Sequence, residues 1–339
     1  MQNRTIWPHE KWQKGLPEET GFSRKKLTLA GQFQAEQATG RPYRITIIRY
    51  GKIVSDWNYR VDPFRKLNQG LASMSTYACI LGIAIDEGII KSVDDHVIDY
   101  YPELIEAIKL FRDLKLDELI DPGVTFRKLI SNTRITLKGK QSIKSTTPYQ
   151  AYKLNLLSHV MASMYNLYRS SSPTLGGGFG TLTRWKLRDR IGGSWDWRYE
   201  TGQINPDIDE GVFGYFTSFL MSTYDMARCA LLWLNRGDWD GERIISSRWM
   251  DQITGITSNV IQKGNFGYDC YGMGFWSNRE TEIWPNLPAD SFASIGNEHQ
   301  DIWICRGLNL IIVHSPGTNN YLANDGAKLI ELIVESIDD

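Results

Sequence analysis

The chain has few cysteines, and those it has are far apart. There are 4 in 339 residues, and no two of them form a Cys-x-x-Cys pair. That spacing argues against a structural zinc site and against a dense disulfide framework. The 5 histidines follow no metal-ligand spacing, so we expect no metal and no other cofactor. Cys79 and Cys229 lie in apolar runs of helical character, which predicts that both are buried free thiols.

Long apolar runs and an excess of charge of one sign are also missing. No run approaches the roughly 18 apolar residues of a transmembrane helix. The N-terminal stretch lacks the apolar core of a secretory signal. The formal net charge is −1, which gives no basis for expecting a nucleic acid or an anionic membrane surface as a partner. These absences predict a cytoplasmic protein with no nucleic-acid partner and no membrane partner.

Aromatic residues are abundant by contrast, with 12 Trp, 16 Tyr and 12 Phe. At that level they suit a carved apolar pocket, but a large aromatic core is the simpler interpretation and the one that composition favours. With 42% hydrophobic and 23% charged residues, the chain has an ordinary globular composition and enough length for a large core.

The sequence is organised around residues 70–102, which predict a buried helix, a glycine stop and a second short helix. Apolar residues recur at helical spacing in the first helix, and Gly82 permits close packing there. Ser73 or Ser75 is suited to cap the start of this helix. Gly88 can adopt the left-handed conformation that ends it.

The remaining segments predict strands at both ends of the chain and helices between them. A helix is predicted at 22–38, followed by a β-hairpin of residues 44–50 and 53–59 around a turn at Gly51 and Lys52. Later strands are predicted at 271–276, 291–295, 299–305 and 308–314, with a last helix at about 323–337.

We therefore expect an α/β (α+β) fold, with an antiparallel sheet flanked by helices plus a mainly helical region. Residues 1–21 are expected to be a lead-in segment to one domain at 22–339. Within that domain, 22–65 and about 265–339 are expected to form the sheet region, and about 66–264 the helical region.

Residues 80–104, ILGIAIDEGIIKSVDDHVIDYYPEL, resemble the nucleophile helix and following segment of the β-lactamase-related serine hydrolases. That group includes class C β-lactamases, penicillin-binding proteins, and related esterases and amidases. Residues 124–132 and 211–237 resemble two further segments of the family, and the resemblance extends over 22–337. It implies a β-lactamase/transpeptidase-like fold and, in its cleft, an acyl or amide substrate or another small-molecule ligand.

The Ser-x-x-Lys that opens this helix in the family is not present. In the family a lysine one helical turn later activates the serine, because residues three apart share one face of a helix. Counting back from Gly82 without a gap places Leu71 at the serine position and Met74 at the lysine position. The other alignment keeps Ser73 as the nucleophile, with Ser75 as the neighbouring candidate, and deletes two residues that include the lysine. Both alignments lose the base.

The two other motifs of the family are altered as well. Its Tyr-x-Asn motif corresponds to YQA at 149–151, which keeps Tyr149 and replaces the asparagine by an alanine that cannot bind a substrate amide. Its Lys/His-Thr/Ser-Gly motif corresponds to SIG at 294–296, which lacks the cationic residue. Gly296 and the following Asn297 remain candidate substrate contacts, since glycine lets backbone approach a substrate closely.

Two further features complete the candidate site. His299 is a candidate base if it faces the cleft, although a polar histidine at the start of a strand is the simpler interpretation. The GGGFG of residues 176–180 lacks the Gly-Lys-Ser/Thr of a phosphate loop, so we expect a flexible loop over the cleft with Gly177 as a substrate contact.

Two functions remain open at this point. In the first hypothesis the protein keeps the fold without its acyl-serine chemistry. It is then a pseudoenzyme, or it binds a small molecule or runs a non-hydrolytic reaction in the old cleft. In the second it is an active esterase, amidase or acyltransferase, with Ser73 or Ser75 as nucleophile and Tyr149 or His299 as base. The alteration of all three motifs favours the first hypothesis, and the intact scaffold motivates the second.

Overall fold

The computed structural model describes residues 5–105, 123–131, 147–167, 177–200, 216–255, 271–279, 283–296, 299–318 and 324–338. The helices are α1 (Arg24–Ala38), α2 (Ser73–Asp86), α3 (Phe126–Ile130), α4 (Thr147–Met164), α5 (Gly178–Thr183), α6 (Thr223–Leu234), α7 (Ser247–Ile253) and α8 (Asn324–Val334). The strands are β1 (Tyr43–Arg49), β2 (Lys52–Tyr59), β3 (Leu67–Asn68), β4 (Asp196–Glu200), β5 (Phe216–Met221), β6 (Asp238–Trp239), β7 (Glu242–Arg243), β8 (Trp276–Ser277), β9 (Ser291–Ile295), β10 (Asp301–Cys305) and β11 (Leu310–His314). Among the helices described, none combines the length and apolar character that crossing a bilayer requires.

The main sheet has six strands in the order β2-β1-β11-β10-β9-β8, and every neighbouring pair is antiparallel. The N-terminal hairpin and the late strands thus join in one sheet, which confirms the predicted fold class. The hairpin turn lies one residue earlier than predicted, at Tyr50 and Gly51, whose φ angles are 53° and 76°. Positive φ at both central residues gives the turn a twist that matches the twist of the strands.

The two faces of this sheet bury two separate apolar clusters. Successive strand residues point to opposite faces. Ile302 and Ile304 accordingly belong to the cluster that contains α2 and α6. Trp303 and Ile312 belong to the cluster that contains residues of α1 and α8. The central strands are therefore apolar on both faces, and helices cover both sides of the sheet.

Helix α2 is buried over nearly its whole length, and Gly82 lies at its closest contact. A Cβ built on Gly82 would lie 2.1 Å from Cδ1 of Trp249 on α7. The indole Nε1 of Trp249 donates to the carbonyl of Ala78 at 2.9 Å, one turn away on the same helix. Cys79 and Cys229 are buried free thiols, as predicted.

The expectation that a serine caps α2 is wrong. Ser73 is the first residue of the helix, the preceding residue is Ala72, and no side chain caps the end. A 3₁₀ turn at Gly70–Ala72 runs directly into α2, and the N–H of Ser73 bonds to carbonyls in that turn. Because this turn already uses a backbone donor at the helix start, neither serine is needed as a cap. At the other end, Gly88 has a φ of 72°, as predicted.

The glycine-rich segment and the residues after it also differ from the prediction. Residues Gly178–Thr183 form a helix, α5, and not a flexible loop. A Cβ on Gly180 would lie 2.2 Å from Trp197 of β4, so the glycine allows α5 to rest directly on this strand. Strand β5 pairs with β4 on one side and with β3 on the other, in a second sheet that the sequence patterns did not predict.

Gly82→Ala provides a test of the contact between α2 and α7. In an exposed helix this change stabilises by about 1 kcal/mol. Here we expect it to lower the free energy of unfolding by about 1–3 kcal/mol, because the added methyl overpacks against Trp249. In a Trp249→Leu background the same change should cost less. Urea unfolding of the four proteins gives the coupling, and a more stable single Gly82→Ala variant would contradict the contact.

Candidate functional site

The candidate site lies where the first turn of α2 meets the end of β9 and a tight turn at Gly274. Gly274 has a φ of 87°, and a Cβ there would lie 2.9 Å from the carbonyl oxygen of Met74. Gly296 directly follows β9, and a Cβ there would lie 2.8 Å from the carbonyl oxygen of Gln69 and 3.4 Å from Cβ of Ala72. These two glycines therefore allow backbone to lie directly against the start of α2.

Ser75 is held within this contact by its own hydroxyl. Its Oγ donates to the carbonyl of Gly274 at 2.6 Å and lies 2.8 Å from Oγ of Ser294 on β9. Oγ of Ser294 is also 3.3 Å from the carbonyl of Ala72. A hydroxyl carries one hydrogen, so Ser75 donates either to the carbonyl of Gly274 or to Oγ of Ser294, and Ser294 donates its own hydrogen to the carbonyl of Ala72. Ser75 is 0% exposed, and this bonding is what stabilises a buried hydroxyl.

Ser73 is buried too, but its hydroxyl is not used in the same way. The residue is 1% exposed, and its Oγ has no hydrogen-bond partner among the described residues. Burying a hydroxyl without a partner costs free energy. Neither Ser73 nor Ser75 contacts a group that could accept a proton as a base within the described part of the chain.

The ungapped alignment points to two apolar side chains. Leu71 lies half-buried in the 3₁₀ turn before α2. Met74 is 2% exposed, and its Sδ lies 3.6 Å from the hydroxyl of Tyr271, which donates to it. A leucine offers no nucleophile, and a thioether is only a weak acceptor that cannot hold a proton at neutral pH. Under this alignment the serine and lysine positions have no chemistry to perform.

The nearby lysine, Lys66, is bound elsewhere. Its Nζ donates to the carbonyl of Ser194 at 2.5 Å and to a carboxylate oxygen of Asp196 at 2.8 Å. Lys66 therefore joins the loop before β3 to the start of β4. It has no hydrogen bond to Ser73 or Ser75.

Asp301, at the start of β10, binds the backbone at the end of β9. Its Oδ1 accepts the N–H of Gly296 at 3.2 Å, while Oδ2 has no hydrogen-bond partner among the described residues. Burial raises the pKa of the Asp301 carboxyl well above its usual range, and the N–H of Gly296 opposes that shift. Sequence reasoning missed this residue, although an aspartate within a run of apolar strand residues was the available signal.

His299, the candidate base, interacts with residues at and after the end of β11. Its carbonyl accepts the N–H of Gly317 at 2.7 Å, and its charge interacts with that of His314. His314 pairs with Asp301, one position out of phase with Ser294, so its side chain points to the opposite face. No hydrogen bond joins His299 to Ser73 or Ser75 in the described part of the chain. The structure therefore does not bring this candidate base to a candidate nucleophile.

The other predicted site residues are placed only in part. Gly177 precedes α5 with a φ of 79°. Its carbonyl accepts the hydroxyl of Tyr199 at 2.8 Å, so this residue joins the start of α5 to β4. The backbone of Tyr149 lies on α4, whereas its side chain lies outside the described part of the structure. Asn297 also lies outside the described residues. Of the predicted site residues, the structure thus gathers Ser73, Ser75 and Gly296.

The fold defined by this sheet, by α2 and by the helices on both faces is that of the β-lactamase-related serine hydrolases. Comparison with solved structures gives 188 matching chains. The chain matches no family model and no curated protein sequence.

Three of these matches span nearly the whole of both chains. A family VIII carboxylesterase shares 14% identity over 95% of this chain and 99% of its own, with a TM-score of 0.64. A penicillin-binding protein homologue from Caulobacter crescentus shares 14% identity over 93% and 99%, with a TM-score of 0.61. A class C β-lactamase from Rhodobacter sphaeroides shares 13% identity over 92% and 99%, with a TM-score of 0.55. At these identities the likeness establishes the fold.

The free energy of unfolding should respond differently to the loss of the two serine hydroxyls of α2. Ser75→Ala removes a bonded hydroxyl and leaves buried partners behind, so we expect a loss of about 1–3 kcal/mol in the free energy of unfolding. Ser73→Ala removes a hydroxyl without a partner, so we expect no loss or a small gain. Chemical denaturation measures both. Equal destabilisation by the two changes would contradict the hydrogen bonds described for Ser75.

Acid should destabilise the fold through His314. Burial, with a smaller contribution from His299, lowers the pKa of His314 from its usual 6.5 to about 3. Between those values the unfolded chain binds a proton that the folded chain does not. We therefore expect stability to fall as pH drops through this window, by up to about 1.4 kcal/mol per pH unit. His314→Asn should flatten the slope, whereas the exposed control His9→Asn should not. An unchanged slope in His314→Asn would argue against this assignment.

Proposed function

We propose that this chain is a β-lactamase-fold protein that does not run acyl-serine hydrolysis and instead binds a small molecule in the former catalytic cleft. The observation that carries the proposal is the burial of both serine hydroxyls of the first turn of α2. Ser73 and Ser75 are 1% and 0% exposed, so neither hydroxyl is available to a substrate from solvent.

The bonding of Ser75 supports the same conclusion. A serine nucleophile needs a neighbouring base to take its proton. The proton of Ser75 instead goes to the carbonyl of Gly274, which is not a base at neutral pH. Releasing this hydroxyl for catalysis would leave a buried carbonyl without its donor, at a cost of about 1–3 kcal/mol.

The neutral residues at the family's two cationic positions also support the loss of the acyl-enzyme reaction. Met74 stands at the lysine position of the ungapped alignment, and Ser294 stands where the third motif has its cation. Ser294 is 1% exposed and is bonded to the turn around α2. A neutral corner of this kind favours an uncharged group of a ligand over a carboxylate, since it offers no opposite charge.

The alternative is an active serine hydrolase that uses Ser73. One observation favours it over a hydrolase that uses Ser75, namely the hydroxyl of Ser73 that has no described hydrogen-bond partner. In this alternative the α2 corner opens to admit substrate, and Tyr149 supplies the base from α4. The relatives named above as a carboxylesterase and a β-lactamase suggest ester and amide substrates for the assay.

A serine-directed covalent probe separates these two functions. We expect a fluorophosphonate to label no serine of the native protein, and we expect p-nitrophenyl butyrate and a chromogenic β-lactam to give no burst. Loss of the base alone should cost several powers of ten in rate. Ser73→Ala and Ser75→Ala should leave any residual ester hydrolysis unchanged. Stoichiometric labelling at Ser73 that disappears in Ser73→Ala would contradict the proposal and support the active serine hydrolase.

A further inference from the structure

The outer edge of the main sheet is paired over only a short part of its length. Strand β2 is the edge strand. At Ile53 the lead-in segment adds to this edge, with the N–H of Ile53 bonded to the carbonyl of Gln13 and the N–H of Gly15 bonded to the carbonyl of Ile53. The lead-in then turns away. From residue 54 to Tyr59, no described strand pairs with the outer side of β2.

A groove of about 490 Å³ lies beside this free edge. The lead-in, the start of α1 and residues 53–57 of β2 enclose it. Leu27, Val54 and Trp57 give it an apolar floor, and Leu16 on its rim is 53% exposed. Trp57 packs against α1, where a Cβ on Gly31 would lie 3.1 Å from its ring. The groove therefore lies on the same face of the main sheet as α1.

An exposed aromatic side chain marks the opposite face of the same edge. Phe64 is 72% exposed, and its ring lies 5.8 Å from that of Tyr224 on α6. The hydroxyl of Tyr224 bonds to Asp56, which points away from the groove side because it alternates with Trp57 along β2. Asp62 accepts the N–H of Phe64 at 2.8 Å and thereby fixes the loop. Phe64 is thus presented to solvent on a loop that is already ordered.

The charge around this edge is unbalanced. Unpaired cations outnumber unpaired carboxylates here: Lys14, Lys52, Arg60 and Arg65 form no ion pair among the described residues, and the nearby carboxylates without one are Glu19 and Asp62. The whole chain, by contrast, has a net charge of −1. The guanidinium of Arg60 stacks 4.9 Å over the ring of Tyr59, the last residue of β2. Arginine and aromatic side chains are the residue types most enriched where protein interfaces gain their binding energy.

From these features we propose that the outer edge of β2 binds an extended acidic peptide segment of a partner protein as an additional strand. Its backbone pairs with β2 beyond Ile53, in the way the lead-in already pairs at that residue. Alternate side chains of an added strand lie on opposite faces, so apolar residues enter the groove and acidic residues meet Arg60 and Arg65. The free edge from residue 54 to Tyr59 spans about 20 Å at ~3.3 Å per residue.

This combination fits a peptide better than a nucleic acid or a membrane. The unpaired edge offers backbone donors and acceptors in a row, which an extended peptide satisfies and a lipid surface does not. The cations are few and flank one strand, whereas phosphate-backbone binding depends on broad basic surfaces. The site is separate from the α2 corner, so it holds whether or not the proposed function is correct.

The test uses the full chain and a fluorescent seven-residue peptide with leucine at alternate positions and glutamate or phenylalanine between them. We expect saturable binding by fluorescence anisotropy, and slower hydrogen exchange of β2 amides in the complex. The same peptide with lysine in place of glutamate should bind at least about tenfold more weakly. Two N-methylated peptides, each blocking alternate backbone N–H groups, should differ, because only one set of these donors faces β2.

Protein variants locate the site. Phe64→Ser, and the pair Arg60→Glu with Arg65→Glu, should each weaken binding about tenfold or more. The matched controls are Trp185→Ser and Arg248→Glu, which change exposed residues away from β2 and should leave binding unchanged. Circular dichroism of each variant excludes unfolding as the cause.

Four outcomes would overturn the proposal. These are no binding of the acidic peptide, equal binding of the lysine peptide, equal loss with the control variants, and exchange protection that falls outside β2. Anionic phospholipid vesicles serve as a further probe. Vesicle binding that Phe64→Ser abolishes, without peptide binding, would assign the surface to a membrane and reject the peptide.

Discussion

The hydroxyl of Ser75 connects three segments on which the rest of the candidate site depends. It bonds to the turn at Gly274 and to Ser294 on β9, and it does so from the first turn of α2. One small side chain thereby fixes β9, α2 and the turn at Gly274 against one another. Because that contact is buried, its bonds are not exchanged for bonds to water. The corner where the family resemblance places the candidate serines is thus part of the packing in this chain.

The two glycines at this corner explain how so small a group can bridge so much structure. Gly274 and Gly296 let backbone approach α2 and the chain before it at distances that any side chain would prevent. The result is a contact with short interatomic distances that leaves little space around the two serine hydroxyls. Close packing of this kind stabilises the fold and excludes a substrate from the serine hydroxyls. The structural role and the proposed loss of hydrolysis thus have one physical cause.

Local signals in the sequence predicted much of the fold. The β-hairpin follows from β-branched residues around a glycine turn, and the start of α6 follows from Ser222 and Asp225, which form a capping box. The hairpin turn and the capping box are local signals, because their residues lie within a few positions of each other. Strands β4 and β5 have no such signal between them, and their pairs join Glu200 to Phe216 and Asp196 to Leu220. Residue patterns alone did not identify them, and the glycine-rich helix α5 was missed because its glycines serve packing against Trp197 and not flexibility.

The candidate site was less predictable than the fold for a related reason. The sequence showed that the lysine was missing, since that is a matter of spacing along one helix. It did not show that Ser75 is bonded and Ser73 is not, because the partners lie some 200 residues away in the chain, with separations of 199 to Gly274 and 219 to Ser294. Nor did it show that His299 forms no hydrogen bond with either serine among the described residues. That outcome depends on how distant segments pack, which a motif does not encode.

Gly274 is required by the packing of α2 and not by any reaction in the cleft. With a φ of 87° and the Met74 carbonyl beside it, this position cannot accept a side chain without displacing α2, whatever reaction the cleft performs. Replacing Gly274 should therefore cost stability whether or not the cleft performs a reaction. The glycine reports on the fold, and only the side chains that could carry a proton report on catalysis.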